Sequence, residues 1–412
     1  MTKKSDAPAI RFKGFSDAWE QRKVQGVADR FDNLRIPVAA NLRVHGTTPY
    51  YGANGIQDYV EGFTHDGEFV LVAEDGANDL KNYPVKCVNG RIWVNNHAHV
   101  LQGKAGIADN SFLAFAISQS DIESLLVGGG RAKLNAETLM SIEFRLPCLQ
   151  EQYRIGEYLT QLNHLITLHQ RKFEKLTNVK KSMLEKMFPQ NGSSYPEIRF
   201  KGFTDPWEQR KLASLCEKFT DGDWIESKDQ SDFGVRLVQT GNVGVAEYLD
   251  KTNNKKWISE DTFDRLHCEE VLPGDILISR LPEPAGRACI VPLLGTKMIT
   301  AVDCTIVRTA PDMSNKFLVQ YLSSQAYFDD VNTCLAGGTR QRISRGNLAN
   351  FNVPIPVKKS EQDAIGMFFG YLDNLITLHQ RQTIVYAVIR SIRKVILAER
   401  QYFAPPMVRK SP

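Results

Sequence analysis

The heptapeptide LITLHQR occupies residues 165–171 and returns unchanged at residues 375–381, which is 210 positions later. A Glu-Gln pair, at residues 151–152 and again at 361–362, precedes each copy by the same interval. Each heptapeptide stands in a stretch whose apolar residues recur at helical spacing, which predicts two long helices. Because a long-range internal repeat decides the architecture, the chain is interpreted first as two copies of one unit.

A second repeat lies upstream of each helix. IRFKGFSDAWEQRK at residues 10–23 and IRFKGFTDPWEQRK at residues 198–211 differ at two positions. We call these segments tag 1 and tag 2. Each is predicted to form a short turn that enters a helix, because Asp17 and Glu20 have the spacing of a capping box and Pro206 suits a first helical position.

Composition limits the class of protein. The chain has 412 residues, 42% hydrophobic and 24% charged, which is ordinary for a globular protein, and its length and repeat predict two domains. The net charge of +4 permits nucleic-acid binding without requiring it. Seven cysteines form no C-x-x-C pair and their odd number disfavours a disulfide framework, which indicates a reducing cytoplasm. No apolar run of about 18 residues occurs, so no membrane span is expected.

The long helices carry an apolar seam. The first is predicted over residues 149–187 and the second ends near Tyr402. Alternating steps of three and four give a coiled-coil pattern with polar breaks. Its positions are Leu159, Leu162, Ile166, His169, Phe173, Leu176, Lys180, Met183 and Met187, and in the second helix Ile365, Phe369, Leu372, Ile376 and His379. Two such helices in one chain can pair antiparallel; the alternative is a seam between separate chains.

Between tags and helices lie two variable segments with strand and helix signals, which predict mixed α/β domains. In the first, Asn89-Gly90 predicts a hairpin turn, and residues 50–55 predict a loop. Residues 111–118 and 120–126 are predicted to be helical. The second segment follows the same order of features, but its loop residues differ widely from those of the first.

No stretch carries a complete catalytic signature. Neither the P-loop pattern nor the dinucleotide-binding glycine pattern occurs. Three weaker patterns are incomplete or lack a counterpart in the other half, and structural roles are favoured for them. They are Asp205-Pro206-Trp207, which resembles part of an adenine methyltransferase motif; His97 and His99, as metal ligands; and Asp221, Asp223, Glu226 and Lys228, as a nuclease site. No catalytic or metal site is therefore predicted.

Glycine-rich basic loops are stronger candidates, because they occur at corresponding positions in both halves. Glycine allows a backbone to approach a phosphate closely, and arginine can bond a guanine edge through two hydrogen bonds. Amides in loops can read adenine edges. The candidate DNA-binding residues are Arg131 and Lys133 in the first loop; Arg340, Arg342 and Arg345 in the second; and Tyr51, Asn54, Asn78, Asn95, Asn96, Gln239, Asn242, Arg280 and Arg287. The alternative for each residue is a position in an ordinary solvated surface loop that contacts no DNA.

Together the tags, the LITLHQR helices and three further segments resemble the DNA-specificity subunit of type I restriction–modification systems. The further segments are YYGANGIQDYV at 50–60, WVNNHAHVL at 93–101 and GDILISRLPEPAGRACI at 274–290. The resemblance extends over essentially the whole chain. It implies an α/β (α+β) fold of two target-recognition domains joined by two long antiparallel coiled-coil helices, with a pseudo-two-fold internal repeat.

The resemblance also implies the domain boundaries. These are tag 1 (1–24), target-recognition domain 1 (25–147), the central long helix (148–189), a linker with tag 2 (190–212), target-recognition domain 2 (213–356), the C-terminal long helix (357–403) and a tail (404–412). Each recognition domain would read one half of a split DNA site. Because the variable segments differ, the two halves should differ as well.

For partners, the resemblance implies double-stranded DNA, two methylation subunits and restriction subunits, with no membrane. The helices would set the spacer between half-sites and dock the methylation subunits, with Leu159, Leu162, Ile166, His169, Phe369, Leu372, Ile376 and His379 as candidate contacts. The chain itself would bind no cofactor; its partners would use S-adenosylmethionine, ATP and Mg²⁺. Two alternatives stay open: a coiled-coil assembly scaffold without DNA, and a nuclease or methyltransferase that acts alone.

Overall fold

The computed structural model describes residues 10–128, 132–190, 192–251, 253–338 and 341–398, without the side chains of 387 and 390–398. Its contacts divide the chain into two compact units. Unit 1 comprises Met1–Gln170 with Arg381–Pro412, and unit 2 comprises Arg171–Gln380. No helix in the described ranges is both long and apolar enough to cross a lipid bilayer.

Unit 1 is a mixed α/β domain followed by the first long helix. Its strands are β1 (Glu20–Lys23), β2 (Ala28–Arg30), β3 (His45–Gly52), β4 (Gly55–Val60), β5 (His65–Ala73), β6 (Val85–Val94), β7 (Ala98–Gly103) and β8 (Glu143–Leu146). Its helices are α1 (Val24–Val27), α2 (Asn110–Ser118), α3 (Ala136–Ser141) and α4 (Leu149–Lys186), with single 3-10 turns at Asp32–Leu34, Ala40–Leu42 and Glu123–Leu125.

Unit 2 repeats this plan with more and shorter strands. They are β9 (Glu208–Lys211), β10 (Cys216–Asp221), β11 (Gln230–Ser231), β12 (Val235–Val238), β13 (Lys256–Ile258), β14 (Ile276–Ser279), β15 (Ala288–Ile290), β16 (Met298–Thr300), β17 (Cys304–Thr309) and β18 (Asn352–Ile355). The helices are α5 (Glu260–Leu266), α6 (Asn315–Tyr321), α7 (Gln325–Thr333), α8 (Arg345–Ala349) and α9 (Lys359–Ala398), with 3-10 turns at Leu212–Leu215, Ser227–Asp229 and Thr240–Asn242.

Four strands have the same order in the main sheets of the two units. In unit 1 a six-stranded sheet has the order β2-β7-β5-β6-β3-β4, antiparallel except between β3 and β6. In unit 2 the order β10-β17-β14-β15 corresponds to β2-β7-β5-β6, and a second sheet, β11-β13-β12-β16, is added. A two-stranded sheet, β1-β8 or β9-β18, completes each unit. The predicted repeat of mixed α/β domains is therefore confirmed.

Corresponding apolar side chains fill the two cores. Trp19 and Phe112 are buried with Ile155 of α4 in unit 1, and Trp207 and Phe317 are buried with Ile365 of α9 in unit 2. Burial of each such side chain contributes on the order of 2 kcal/mol. Each long helix therefore begins as part of the core of its own domain.

The long helices pair antiparallel, as predicted. Within unit 2, Lys180 of α4 bonds Asp373 of α9 at 2.6 Å, and Phe188, just beyond α4, stacks on Phe369. Rising numbers in one helix thus meet falling numbers in the other. Within unit 1, the His169 ring stacks on Tyr386 with 5.5 Å between centroids. Every predicted seam position is buried or partly buried.

The tags differ from their prediction. Residues Glu20–Lys23 and Glu208–Lys211 form strands, not helix starts, and they pair antiparallel with β8 and β18. A capping-box spacing is a local signal, whereas the strand partners lie more than 100 residues away in sequence. Pairing of each tag with the strand that precedes a long helix therefore overrides the local preference.

Three other local predictions also differ from the structure. Asn89-Gly90 does not form a turn, because β6 continues through it and pairs Gly90 with Gly67 of β5. Both glycines have positive φ, which indicates that the strand backbone is irregular where this pair faces each other in the ladder. Residues 50–55, predicted to form a loop held close to another part of the chain, are instead the end of a hairpin between β3 and β4. Of 120–126, only Glu123–Leu125 is helical, as a single 3-10 turn.

A buried carboxylate at the start of each long helix holds the tag. In unit 1, Glu151 accepts two hydrogen bonds from Arg11, both at 2.7 Å, and one from the indole of Trp19 at 3.2 Å. In unit 2, Glu361 accepts two from Arg199, at 2.7 and 2.8 Å, and one from Trp207 at 3.3 Å. These bonds explain why tag and Glu-Gln pair repeat together.

The neighbouring glutamines fix the loops around each helix start. The side chain of Gln152 accepts from the backbone N–H of Asp109 and donates to the carbonyls of Ile107 and Pro147. Gln362 accepts from the Ser314 N–H and donates to the Pro356 carbonyl. Both amides are buried with these partners, so the Glu-Gln pair is a structural motif in each unit.

Equivalent glycines let the long helices touch the shorter ones. A Cβ added at Gly156 would lie 2.6 Å from Asp109 Oδ1, and one at Gly366 would lie 2.7 Å from Lys316 Cβ and 2.8 Å from the Phe317 nitrogen. Real Cβ atoms do not approach backbone this closely. Each glycine therefore sets the distance between a long helix and the N-terminus of α2 or α6.

We expect Gly366→Ala to destabilise unit 2, although alanine is normally favoured over glycine inside a helix by about 1 kcal/mol. Gly370 lies one turn further along α9 with no atom within 4 Å of an added Cβ, so Gly370→Ala should stabilise by about 0.5–1 kcal/mol. Denaturant unfolding followed by circular dichroism measures both. The same sign for both variants would contradict the close packing at Gly366.

Candidate nucleic-acid interface

Each unit closes a glycine-rich basic loop with the same pair of backbone hydrogen bonds. Val127 and Lys133 exchange two bonds of 2.9 Å in unit 1, and Ala336 and Arg342 exchange bonds of 3.0 and 2.9 Å in unit 2. We call residues 128–132 basic loop 1 and residues 337–341 basic loop 2. The predicted candidates Arg131 and Arg340 are in these loops but lie outside the described residues.

Each loop is attached to the sheet of its own unit at a corresponding position. The second residue after each loop donates its backbone N–H to the residue that follows strand β5 or β14: Leu134 to the carbonyl of Glu74, and Ile343 to the carbonyl of Arg280. Glu74 and Arg280 in turn bond the residue before β7 or β17, His97 or Asp303. The two loops, which the sequence aligned only by composition, are thus attached through equivalent hydrogen bonds of their flanking residues.

In unit 1 the residues at the loop base form compensated ion pairs. Glu74 bonds Lys133 at 2.8 Å and Arg35 at 2.6 Å. The hydrogen bond to Glu74 raises the pKa of Lys133. Asp32, at the end of β2, bonds the buried His99 at 2.7 Å. Burial opposes ionisation of Asp32, but hydrogen bonds from His99 and Val100 outweigh it and lower its pKa. Lys133 is therefore engaged by a carboxylate of its own unit.

In unit 2 the corresponding positions have a different charge pattern. Asp221 is equivalent to Asp32 and accepts from Thr305 at 2.9 Å. Two arginines share the same carboxylate at longer distances, Arg280 at 3.5 Å and Arg345 at 3.8 Å. Arg342 approaches Asp303 only to 3.9 Å, and 63% of its side chain is exposed. Arg342 and Arg345, which lack a close carboxylate partner of this kind, are consequently more available to an anionic ligand than Lys133, whereas Arg280 is largely buried.

Arg287, predicted as a DNA contact, is bound by its own backbone. It donates to four carbonyls, of Thr240, Val243, Leu281 and Pro284, at 2.7–3.0 Å. Burial lowers its pKa. The guanidinium ties the loop after β12 to the loop after β14. We therefore assign Arg287 to loop structure.

The predicted amides fall into two groups. Asn54 donates to the carbonyl of Gly76 and accepts from the N–H of Asn78, so it joins the β3–β4 turn to the loop after β5. Asn242 is buried, donates to the Leu249 carbonyl and accepts from the Gln239 N–H. Asn95 is likewise buried and accepts from the His97 N–H.

The other amides are more exposed than Asn95 and Asn242. Asn78 and Asn96 are exposed, as Asn54 also is, and Gln239 is partly exposed at the carboxyl end of β12. Tyr51 is buried instead and lines a cavity of about 170 Å³ between the β3–β4 hairpin and the sheet. Burial raises the pKa of its hydroxyl, and Lys86 Nζ lies 5.9 Å from the ring centre.

The weak catalytic patterns have structural partners. Trp207 is buried and donates its indole N–H to Glu361, and Asp205 bonds Lys358 at 2.9 Å. His99 is buried between Asp32 and the Leu134 carbonyl. Among the described residues, no group of three or more His, Cys, Asp or Glu side chains is arranged to hold a metal ion.

Sequence reasoning missed the acidic residues of the site. Asp32, Glu74, Asp221 and Asp303 position or neutralise the basic side chains at the loop bases. A signal was present for one pair, since Asp32 and Asp221 stand at nearly the same distance beyond their tags. Which basic residue each carboxylate meets depends on strand pairing, which the repeat alone does not specify.

The chain is similar to known proteins in both sequence and fold. A family model described as the type I restriction modification DNA specificity domain matches residues 16–178 and 204–385. A putative type I restriction enzyme specificity subunit of Haemophilus influenzae is 44% identical over 146 residues, which are 35% of this chain and 38% of that protein. A type I restriction enzyme specificity subunit of Methanocaldococcus jannaschii is 23% identical over 291 residues, or 68% of each chain.

A solved structure supports the fold across the chain. The S subunit of a type I restriction–modification system from M. genitalium aligns with a TM-score of 0.67 and 12% identity, covering 96% of this chain and 100% of that one. The match to the Haemophilus protein spans little more than a third of that relative, at 38%. Because the family model matches both repeats separately and together they make up most of the sequence, the chain belongs to the type I restriction–modification DNA specificity family.

Proposed function

We propose that this chain is the DNA sequence-recognition subunit of a type I restriction–modification complex. Residues 25–147 and 213–356 each read one half of a bipartite, asymmetric DNA site. The observation that carries this proposal is the equivalent attachment of basic loops 1 and 2, in surroundings of different charge. Two copies of one scaffold that carry different side chains suit a split site with two different halves. Dimeric DNA-binding proteins likewise place one recognition element on each half-site.

Phosphate contacts would supply affinity and base contacts would supply selectivity. The side chains proposed for this role are Arg342 and Arg345 in unit 2 and the exposed amides of Asn78 and Asn96. Arg131 and Arg340, which the sequence assigns to basic loops 1 and 2, are proposed with them. Arg280 would support them from below, because its guanidinium is mostly buried beside Asp221. The chain itself performs no catalysis in this proposal.

The long helices would dock two methylation subunits, and restriction subunits would join that core. Outside the buried seam, α4 exposes Tyr153 and Tyr158, and α9 exposes Met367 and Tyr371. Large exposed apolar side chains on a helix suit a protein partner. The partners would hold S-adenosylmethionine, ATP and Mg²⁺, and the complex would act in the cytoplasm.

Methylation mapping tests the proposal. A genome from cells that express this chain with its methylation subunit should carry a split modified motif with an unspecified spacer. Exchange of residues 213–356 for the same segment of another family member should change one half of that motif and leave the other intact. The matched control is exchange of residues 25–147, which should change only the opposite half.

Other outcomes would contradict the proposal in distinct ways. If no modified motif depends on this chain while the methylation subunit still co-purifies with it, the chain is an assembly scaffold. If the purified chain alone cleaves or methylates DNA with Mg²⁺ or S-adenosylmethionine, it is an enzyme. If either exchange alters both halves, the two domains do not read separate half-sites.

A further inference from the structure

Trp224 has an unusual environment for its type. The indole is 72% exposed, whereas Trp19 and Trp207 are buried and Trp93 and Trp257 are partly buried. Tryptophan carries one of the largest apolar surfaces of any residue, and its contact energy is gained mainly by covering that surface. Among the described residues, none of the apolar clusters of unit 2 includes Trp224.

Its backbone is fixed at the arginine-rich end of unit 2. The two residues before it are held by bonds from Gly222 N to the Cys304 carbonyl at 3.0 Å and from Asp223 N to the Thr300 carbonyl at 2.9 Å. Val302 bonds back to Asp223, and the Val302 carbonyl accepts from Arg280 at 2.6 Å. Trp224 therefore follows directly on the segment that carries Asp221.

The arginines near basic loop 2 belong to this same end of the unit. Arg280 and Arg345 both approach Asp221, which stands three residues before Trp224. Arg342 approaches Asp303, whose carbonyl accepts the Arg280 N–H. An exposed aromatic ring is thus grouped with cationic side chains, the combination that engages bases and phosphates at once.

The residues around the indole carry charge of both signs. Glu226, two residues on, bonds Lys228 at 2.8 Å, and that pairing, with a smaller contribution from the Trp224 side chain, lowers the pKa of Glu226. The carboxylate beside the indole is therefore compensated by a lysine. Unit 1 has no equivalent, because the residue three beyond Asp32 is Arg35, which is directed to Glu74 and the Ala98 carbonyl.

We propose that Trp224 contacts the DNA bases beside the half-site read by unit 2, with its indole acting as a wedge at one base step. This inference rests on the proposed DNA-reading function and extends it. Apolar side chains that enter a base step partly unstack it, so the sequence at that step affects affinity without hydrogen-bond readout. Unit 2 would therefore discriminate at a position that unit 1 leaves unread.

The test uses the full chain in complex with its methylation subunit and duplexes that contain the motif found by methylation mapping. Single 2-aminopurine substitutions are placed at successive positions across and beside the unit 2 half-site. Wild-type binding should raise the fluorescence at one step. Trp224→Ala should abolish that rise and weaken binding by about 5- to 150-fold, in line with one lost base–aromatic contact.

Two variants serve as controls. Trp224→Phe keeps an aromatic ring and should retain most of the affinity and the signal. Phe233→Ala removes an aromatic side chain that is 81% exposed but stands before β12, at the end of that strand opposite to Gln239, and should change neither.

Three outcomes overturn the inference. If Trp224→Ala leaves both affinity and fluorescence unchanged, the indole does not contact DNA. If Trp224→Ala reduces the amount of methylation subunit bound while the fluorescence rise persists, the residue contacts protein instead. If the wild-type complex shows no sequence-selective binding, the proposed function fails as well, which separates that failure from the first two.

Discussion

Glu361→Ala should lower the free energy of unfolding of unit 2 by about 3–5 kcal/mol, the range for removing one partner of a buried ion pair. Glu361 is 1% exposed and accepts three hydrogen bonds, two from Arg199 and one from Trp207. Its loss leaves a mostly buried guanidinium and an indole N–H without their acceptor. Denaturant unfolding monitored by circular dichroism measures the change.

The matched control is Glu197→Ala in the same unit. Lys186 and Glu197 also bond at 2.7 Å, but both side chains are exposed, so the expected loss is about 0–1 kcal/mol. Equal, small losses for the two variants would show that burial does not make the Glu361 network stabilising. The equivalent change in unit 1, Glu151→Ala, should resemble Glu361→Ala because its partners and distances are nearly the same.

Arg287→Ala should be the second most damaging substitution, with a loss of about 3 kcal/mol or more. The reason is that four backbone carbonyls, three of them partly buried, lose their donor together, and each buried polar group left unpaired costs about 1–3 kcal/mol before water compensates. Arg287→Lys should rescue little, because one ammonium cannot span the positions that the planar guanidinium reaches.

Arg342→Ala gives the opposite pattern and serves as the control. Its side chain is largely exposed and only 3.9 Å from Asp303, so stability should change by less than about 0.5 kcal/mol. DNA affinity of the assembled complex should nevertheless fall, with a weaker dependence on salt. Normal stability for Arg287→Ala, measured beside Arg342→Ala, would contradict the structural role of Arg287.

The architecture followed from sequence where the signal was periodic or repeated. The seam from Leu159 to Met187 needs only helical spacing, and the structure buries or partly buries each position. The tags show the limit of such reasoning. Their strands depend on partners beyond 100 residues away, and a capping-box spacing at Asp17 and Glu20 contains no information about those partners.

The site was predicted less completely for a related reason. Composition identified the basic loops, because glycine next to arginine or lysine is visible in the sequence. It could not distinguish a free donor from an engaged one: Arg287 and Arg342 look alike until the carbonyls around Arg287 are placed. Trp224 was not singled out either, since exposure is a property of the folded chain.

The near-identity of the two tags bears on how the chain reaches its fold during synthesis. Both tags carry the same arginine and tryptophan, so each tag has the donors that Glu151 and Glu361 need. Tag 2 also lies nearer in sequence to Glu151 than to Glu361. On the ribosome, tag 1 and Glu151 emerge before tag 2 exists, so the first carboxylate can be occupied when the competitor appears. Vectorial synthesis thus supplies a pairing order that a chain refolding from denaturant lacks.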